Sequence, residues 1–104
     1  MPIDFLTQQI DFLPKTGEAN IQTSVFPFPS RVVNSTVVMT GFFFDFQHTD
    51  RPLHQAQVDL YNLGPQHEGS EVHVQAVLLL SDYSGDIDDP FEGYVRATVI
   101  VDRV

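Results

Sequence analysis

Apolar residues recur at every second position through much of the chain. Val72, Val74, Ala76, Leu78 and Leu80 do so over residues 71–81, and Val95, Ala97, Val99 and Val101 over residues 94–104, with Arg96, Thr98 and Asp102 between them. A period of two is the mark of a strand with one covered face, so both segments are predicted to be half-buried antiparallel strands. Residues 53–63 repeat the pattern, with Ala56, Val58 and Leu60 on one parity and Gln55, Gln57, Asp59 and Tyr61 on the other. Residues 32–46 differ. Val38, Phe42, Phe44 and Phe46 fall on one parity and Val37, Met39 and Phe43 on the other, which predicts a central strand covered on both sides. A straight strand over residues 36–47 would extend about 40 Å, so Gly41 is the expected site of a bulge or bend.

Residues 19–28 predict a further strand, with Ile21, Thr23 and Val25 on one face and Phe26 and Phe28 on the other. Pro27 and Pro29 carry no N–H to donate, which confines that strand to an edge or an end. Residues 3–13 fit a helix and a strand equally, because Ile3, Leu6, Ile10 and Leu13 follow a 3,4,3 spacing but the segment is short and has proline at both ends. Val77-Leu78-Leu79-Leu80 is apolar on both parities and is expected either at a sheet centre or against another chain. Turn-forming clusters recur about every ten residues. The expected fold is all-β, an antiparallel β-sandwich of six or seven strands in a single domain over residues 1–104, with residues 1–17 an N-terminal arm or edge element.

Fourteen acidic residues against five basic ones give a formal charge of −9. That sign repels phosphate backbones and anionic membranes, so neither nucleic acid nor a membrane is expected as a partner. With no cysteine, thiolate and disulfide chemistry are excluded. The first residues show no basic stretch followed by an apolar core, and no run approaches the length of a membrane span, so a soluble chain without an export signal is expected.

Residues 82–93 hold five carboxylates, Asp82, Asp86, Asp88, Asp89 and Glu92, the oxygen-rich composition that Ca²⁺ favours. Their spacing does not follow the EF-hand order, and a solvated turn accounts for the same residues. His48, His54, His67 and His73 follow no zinc-ligand spacing. No nucleophile elbow accompanies Ser81 or Ser84, and no enzyme is expected. The candidate ligand-binding set is Asp59, Tyr61, Tyr83, His48 and His54, in which tyrosine rings with polar neighbours are suited to a sugar or a peptide.

The segments Val25-Phe26-Pro27-Phe28-Pro29-Ser30-Arg31-Val32-Val33 and Val58-Asp59-Leu60-Tyr61-Asn62-Leu63, with the alternating strand Val95 to Val101, resemble the H-type lectin family over the chain from Ala19 onward. The resemblance implies a six-stranded antiparallel sandwich, a homo-oligomer that is a trimer or hexamer, and galactose-type carbohydrate held between subunits. The family's sugar-site residues do not carry over: Asp59 stands where a basic residue is usual, and the acidic segment ending at Glu92 stands where a sugar-contacting histidine is usual. A binding module is therefore the first expectation. A structural or assembly subunit, of a phage or a protein coat for example, is the alternative.

Overall fold

The structure is a computed structural model that describes residues 2–15, 19–46, 53–66, 69–82 and 91–104. It contains six strands: β1 (Ile3–Lys15), β2 (Asn20–Pro27), β3 (Val32–Phe46), β4 (Leu53–Gln66), β5 (Glu71–Asp82) and β6 (Phe91–Arg103). They form two antiparallel three-stranded sheets, ordered β1-β6-β3 and β2-β5-β4. The fold class is all-β with six strands, and no helix occurs among the described residues. Five of the strands span 12 to 15 residues, and the molecule measures 50 × 21 × 18 Å.

The centre of each sheet is the strand with the cleanest alternation. Val72, Val74, Ala76, Leu78 and Leu80 of β5 and Val95, Ala97, Val99 and Val101 of β6 are all buried. They share one apolar cluster with Ile10 and Phe12 of β1, Phe26 of β2, Phe28, and Val32 of β3. Each large side chain buried there contributes about 1.5–3 kcal/mol relative to exposure.

β1 settles the choice left open for residues 3–13. Pairing with β6 from Ile3 to Phe12 satisfies its backbone and turns Leu6, Ile10 and Phe12 toward the cluster. The four residues of the helical spacing are thereby split, and Ile3 and Leu13 stand on the outer face, 70% and 72% exposed. β1 and β2 are both edge strands. Where they meet, the contacts are polar: Ser24 Oγ donates to Gln8 Oε1 at 2.9 Å, and the buried Asn20 donates to the Leu13 carbonyl at 2.5 Å.

β3 corrects the expected face assignment. Met39 lies opposite Ala97 and Gly41 opposite Arg96, so Thr40 is an extra residue and the parity of the strand changes there. Val37, Met39, Phe42 and Phe44 are thus on the inner side, opposite Val99, Ala97, Val95 and Gly93, while Val38 and Phe43 are on the outer side. The strand is not covered on both faces. It is a sheet edge, and Phe42, whose ring stacks on Phe44 at a centroid distance of 5.4 Å, is 58% exposed.

At one end of the molecule the chain is tied by backbone and side-chain bonds. Phe28 N–H donates to the Ser70 carbonyl at 2.9 Å, Val32 N–H to Gly69 at 2.6 Å and Val104 N–H to Arg31 at 2.8 Å. Arg103 bridges Asp4 and Ser30, at 3.0 Å each. The strand ends that bracket residues 16–18, 47–52 and 83–90 lie at the opposite end.

Candidate functional site

Those of the residues singled out from the sequence that are described lie in two separate places. Asp59 and Tyr61 lie on the outer face of β4, opposite Val77 and Gln75 of β5. Asp59 accepts a hydrogen bond from Gln57 Nε2 at 2.6 Å, which holds its carboxylate along the sheet surface, and Tyr61 is 48% exposed one pleat away. The same face carries Thr23 of β2, Gln75, and the half-buried His73, whose Nε2 is 3.9 Å from Glu71 Oε2. A carboxylate acceptor, amide groups and an exposed ring on one surface are suited to the hydroxyls and apolar patches of a sugar.

The second place is the end that brackets residues 47–52 and 83–90. Asp82 closes β5, and Glu92 stands near the start of β6, opposite Asp45. His54 lies near the start of β4, at a register shift between Leu53 and Gln55. His48, Tyr83, Asp86, Asp88 and Asp89 lie outside the described residues. Topology carries the starts of β4 and β6 and the end of β5, with His54, Glu92 and Asp82, to one end. It leaves Asp59 and Tyr61 part-way along β4, about 20 Å of strand beyond His54 at ~3.3 Å per residue. Of the members of the proposed ligand set among the described residues, Asp59 and Tyr61 share a face and His54 stands apart from them along β4. Among the described residues no three His, Asp or Glu side chains form a metal-binding group.

A constellation that the sequence reading did not assemble lies on the outer face of β1-β6-β3. Gln9 is opposite Arg96, and Asp11 opposite Tyr94, across the β1/β6 pair. Arg96 Nε donates to Gln9 Oε1 at 3.4 Å and its Nη2 to Tyr94 Oη at 3.2 Å, while its guanidinium carbon is 4.9 Å from the centre of the Tyr94 ring. Gln9 Nε2 in turn donates to Asp11 Oδ1 at 2.8 Å. On the other side Phe43 stacks on Tyr94 at 5.7 Å, and Arg96 lies across Gly41, whose missing side chain leaves that space. The alternation of the closing strand already placed Arg96 opposite the buried valines. Its neighbours on β1 and β3 depend on register, which no local pattern encodes.

The chain matches no protein-family model, no curated protein and no solved structure.

Proposed function

We propose that the chain is a six-stranded β-sandwich that works as a non-catalytic binding module for carbohydrate and acts as a homo-oligomer. The observation that carries the reading is Asp59 on the face of β4, its carboxylate oriented by Gln57, one pleat from the exposed ring of Tyr61. Lectin-type recognition needs such a pre-oriented acceptor beside an open aromatic surface, and it needs no nucleophile or proton relay. The single apolar cluster drawn from both sheets supports the sandwich. The resemblance to H-type lectins supports galactose-type sugars as the first ligands to try, and a trimer or hexamer as the assembly.

Titration calorimetry with galactose and N-acetylgalactosamine, preceded by a glycan array with and without Ca²⁺, tests the reading. Binding that is lost in Tyr61→Ala and weakened in Asp59→Asn is expected. Absence of binding to every sugar class, in either condition, overturns it. A Ca²⁺ requirement abolished by Asp86→Asn with Asp88→Asn would assign the ion to the acidic segment.

A second reading, a subunit whose sheets serve assembly alone, is favoured by the apolar side chains left in solvent on the outer face of β1-β6-β3, Leu13, Ile3 and Phe5 foremost. Oligomerisation without any sugar binding is its signature.

A further inference from the structure

Edge strands are kept from pairing with other chains by charge, by proline, by shortness or by cover. Three of the four edges here have such guards. β1 carries Asp4, Asp11 and Pro14, β2 is only eight residues long and ends in Pro27, and β4 carries Asp59 and Pro65. β3 pairs with β6 on one side and with no strand on the other, yet between Arg31 and Asp45 its thirteen residues hold neither a charge nor a proline. That is the longest charge-free stretch in a chain of formal charge −9. The two long sides of the molecule differ in the same sense. Beside β1 and β2, Ser24 bonds Gln8, Asn20 bonds the Leu13 carbonyl, and the inward Ile10, Phe12 and Phe26 are buried. Beside β3 and β4 the inward Met39 and Phe42 are exposed, and Val37, Phe44, Val58 and Leu60 are only partly buried. Asn62 of β4 ties the two strands near one end, donating to Ser35 Oγ at 2.9 Å and to the Ser35 carbonyl at 3.2 Å.

We propose that β3 pairs edge to edge with β3 of a second copy, about a two-fold axis that is normal to the sheet and passes beside Thr40 and Gly41. Such an axis runs the two strands antiparallel and joins two β1-β6-β3 sheets into one of six strands. The bulge fixes the register. Opposed residues of an antiparallel pair share a face, and the parity of β3 reverses at Thr40. A mid-strand axis therefore matches inner with inner by setting Met39 opposite the partner's Phe42, Val38 opposite the partner's Phe43 and Val37 opposite the partner's Phe44. Area and charge select a second copy as the occupant. Residues 35–46 extend about 40 Å, and over the molecule's shortest extent of 18 Å this side offers about 700 Å² per copy, within the range each partner gives to a stable interface. The strand that is joined buries no charge, so an acidic chain meets its own copy here without penalty, and a partner chosen by charge finds nothing to pair. The two copies of Asp45 stand about 30 Å apart along the paired strands, where physiological salt screens them. The proposal rests on the oligomer part of the proposed function and not on its ligand; with a three-fold contact elsewhere it generates a hexamer.

Sedimentation equilibrium on the full chain at 150 mM salt tests it. Self-association is expected in the unmodified protein, and a monomer at about 100 μM, far above the Kd of a stable interface, overturns both this proposal and the oligomer reading. Met39→Lys and Phe42→Lys are each expected to weaken association about thirty-fold or more, since every interface would then bury two unpaired ammonium groups. Phe5→Lys, which sets the same charge on the outer face of β1, is expected to leave it unchanged. An oligomer that is indifferent to both β3 lysines, or that Phe5→Lys weakens equally, overturns the edge pairing and leaves the oligomer reading standing. The register is read by cross-linking, because the chain has no cysteine of its own. Val38→Cys and Phe43→Cys, mixed and oxidised, are expected to form a disulfide-linked dimer that neither variant forms alone. The two copies of position 38 are about 16 Å apart along the strands, beyond the reach of a disulfide. No link in the mixture, or links in each variant alone as readily, overturns the proposal. Circular dichroism confirms that the variants are folded; should the lysine variants unfold, the cysteine pair decides.

Discussion

Gly93 and Phe43 come into such close approach across the β6/β3 pair that a Cβ on Gly93 would collide with the Phe43 carbonyl oxygen and stand 2.8 Å from Phe44 Cα. The obstruction is backbone, so no rotamer change relieves it. β3 lies tight against β6 at this point because position 93 has no side chain, and the Phe42/Phe44 and Phe43/Tyr94 stacks are set on either side of that contact.

Gly93→Ala is therefore expected to be among the most damaging single substitutions in the chain. Forcing the two strands apart costs about 3 kcal/mol or more. For a domain of this size the melting temperature falls by more than about 10 °C. Thermal unfolding followed by circular dichroism reads it, and a fall under about 3 °C would show that the strands separate at little cost.

Asn20 is 1% exposed and donates its amide to the Leu13 carbonyl while accepting from Gln22 at 3.2 Å. Asn20→Ala leaves that carbonyl without its partner at a cost of about 1–3 kcal/mol. Asn20→Asp is expected to be worse at neutral pH, since it sets a carboxylate oxygen against the carbonyl and removes the donor. Urea denaturation of the three proteins gives the order, and equal stability of Asp and Asn at this position would refute the role assigned to the amide.

Among the described residues two glycines have left-handed backbones, Gly64 at φ 85° and Gly69 at φ 81°. Alanine at either position costs about 1–2 kcal/mol from conformation alone. At Gly69 the added Cβ also stands 3.2 Å from Arg31 Cγ, whereas at Gly64 it meets nothing within 4 Å. Gly69→Ala should thus be the more destabilising, and Gly64→Asn nearly neutral because asparagine tolerates this conformation. Denaturant midpoints that reverse this order would contradict the packing around Arg31.

Arg103 joins β6 to Asp4 at the start of β1 and to Ser30 between β2 and β3, and Ser30 donates onward to the Val104 carbonyl. The pair is partly exposed, so Arg103→Gln is expected to cost only about 1 kcal/mol. High salt should shrink the difference between the two proteins. Hydrogen exchange at the Arg103 and Val104 amides, which bond the Pro2 and Arg31 carbonyls, should quicken in the variant.

Alternation alone determined the inward faces of β5 and β6, because a strand at the centre of its sheet buries one parity completely and takes no other signal. The prolines at 27 and 29 marked β2 as an edge for an equally local reason: they lack the N–H a central strand must donate. Gly41 marked the site of a bulge, yet the consequence of that bulge, moving Phe42 and Phe44 onto the same side as Val37 and Met39, depended on Arg96 and Ala97 across the ladder. For Ile3 to Leu13, helix and strand spacings fitted equally, and only β6 as a pairing partner decided between them. The site divides in the same way. Asp59 and Tyr61 share a face by period two and were legible together, whereas Gln9, Asp11, Phe43, Tyr94 and Arg96 come from three strands far apart in sequence. Their meeting is a matter of register, which is set by the buried faces of the whole sheet and by no residue's own neighbours.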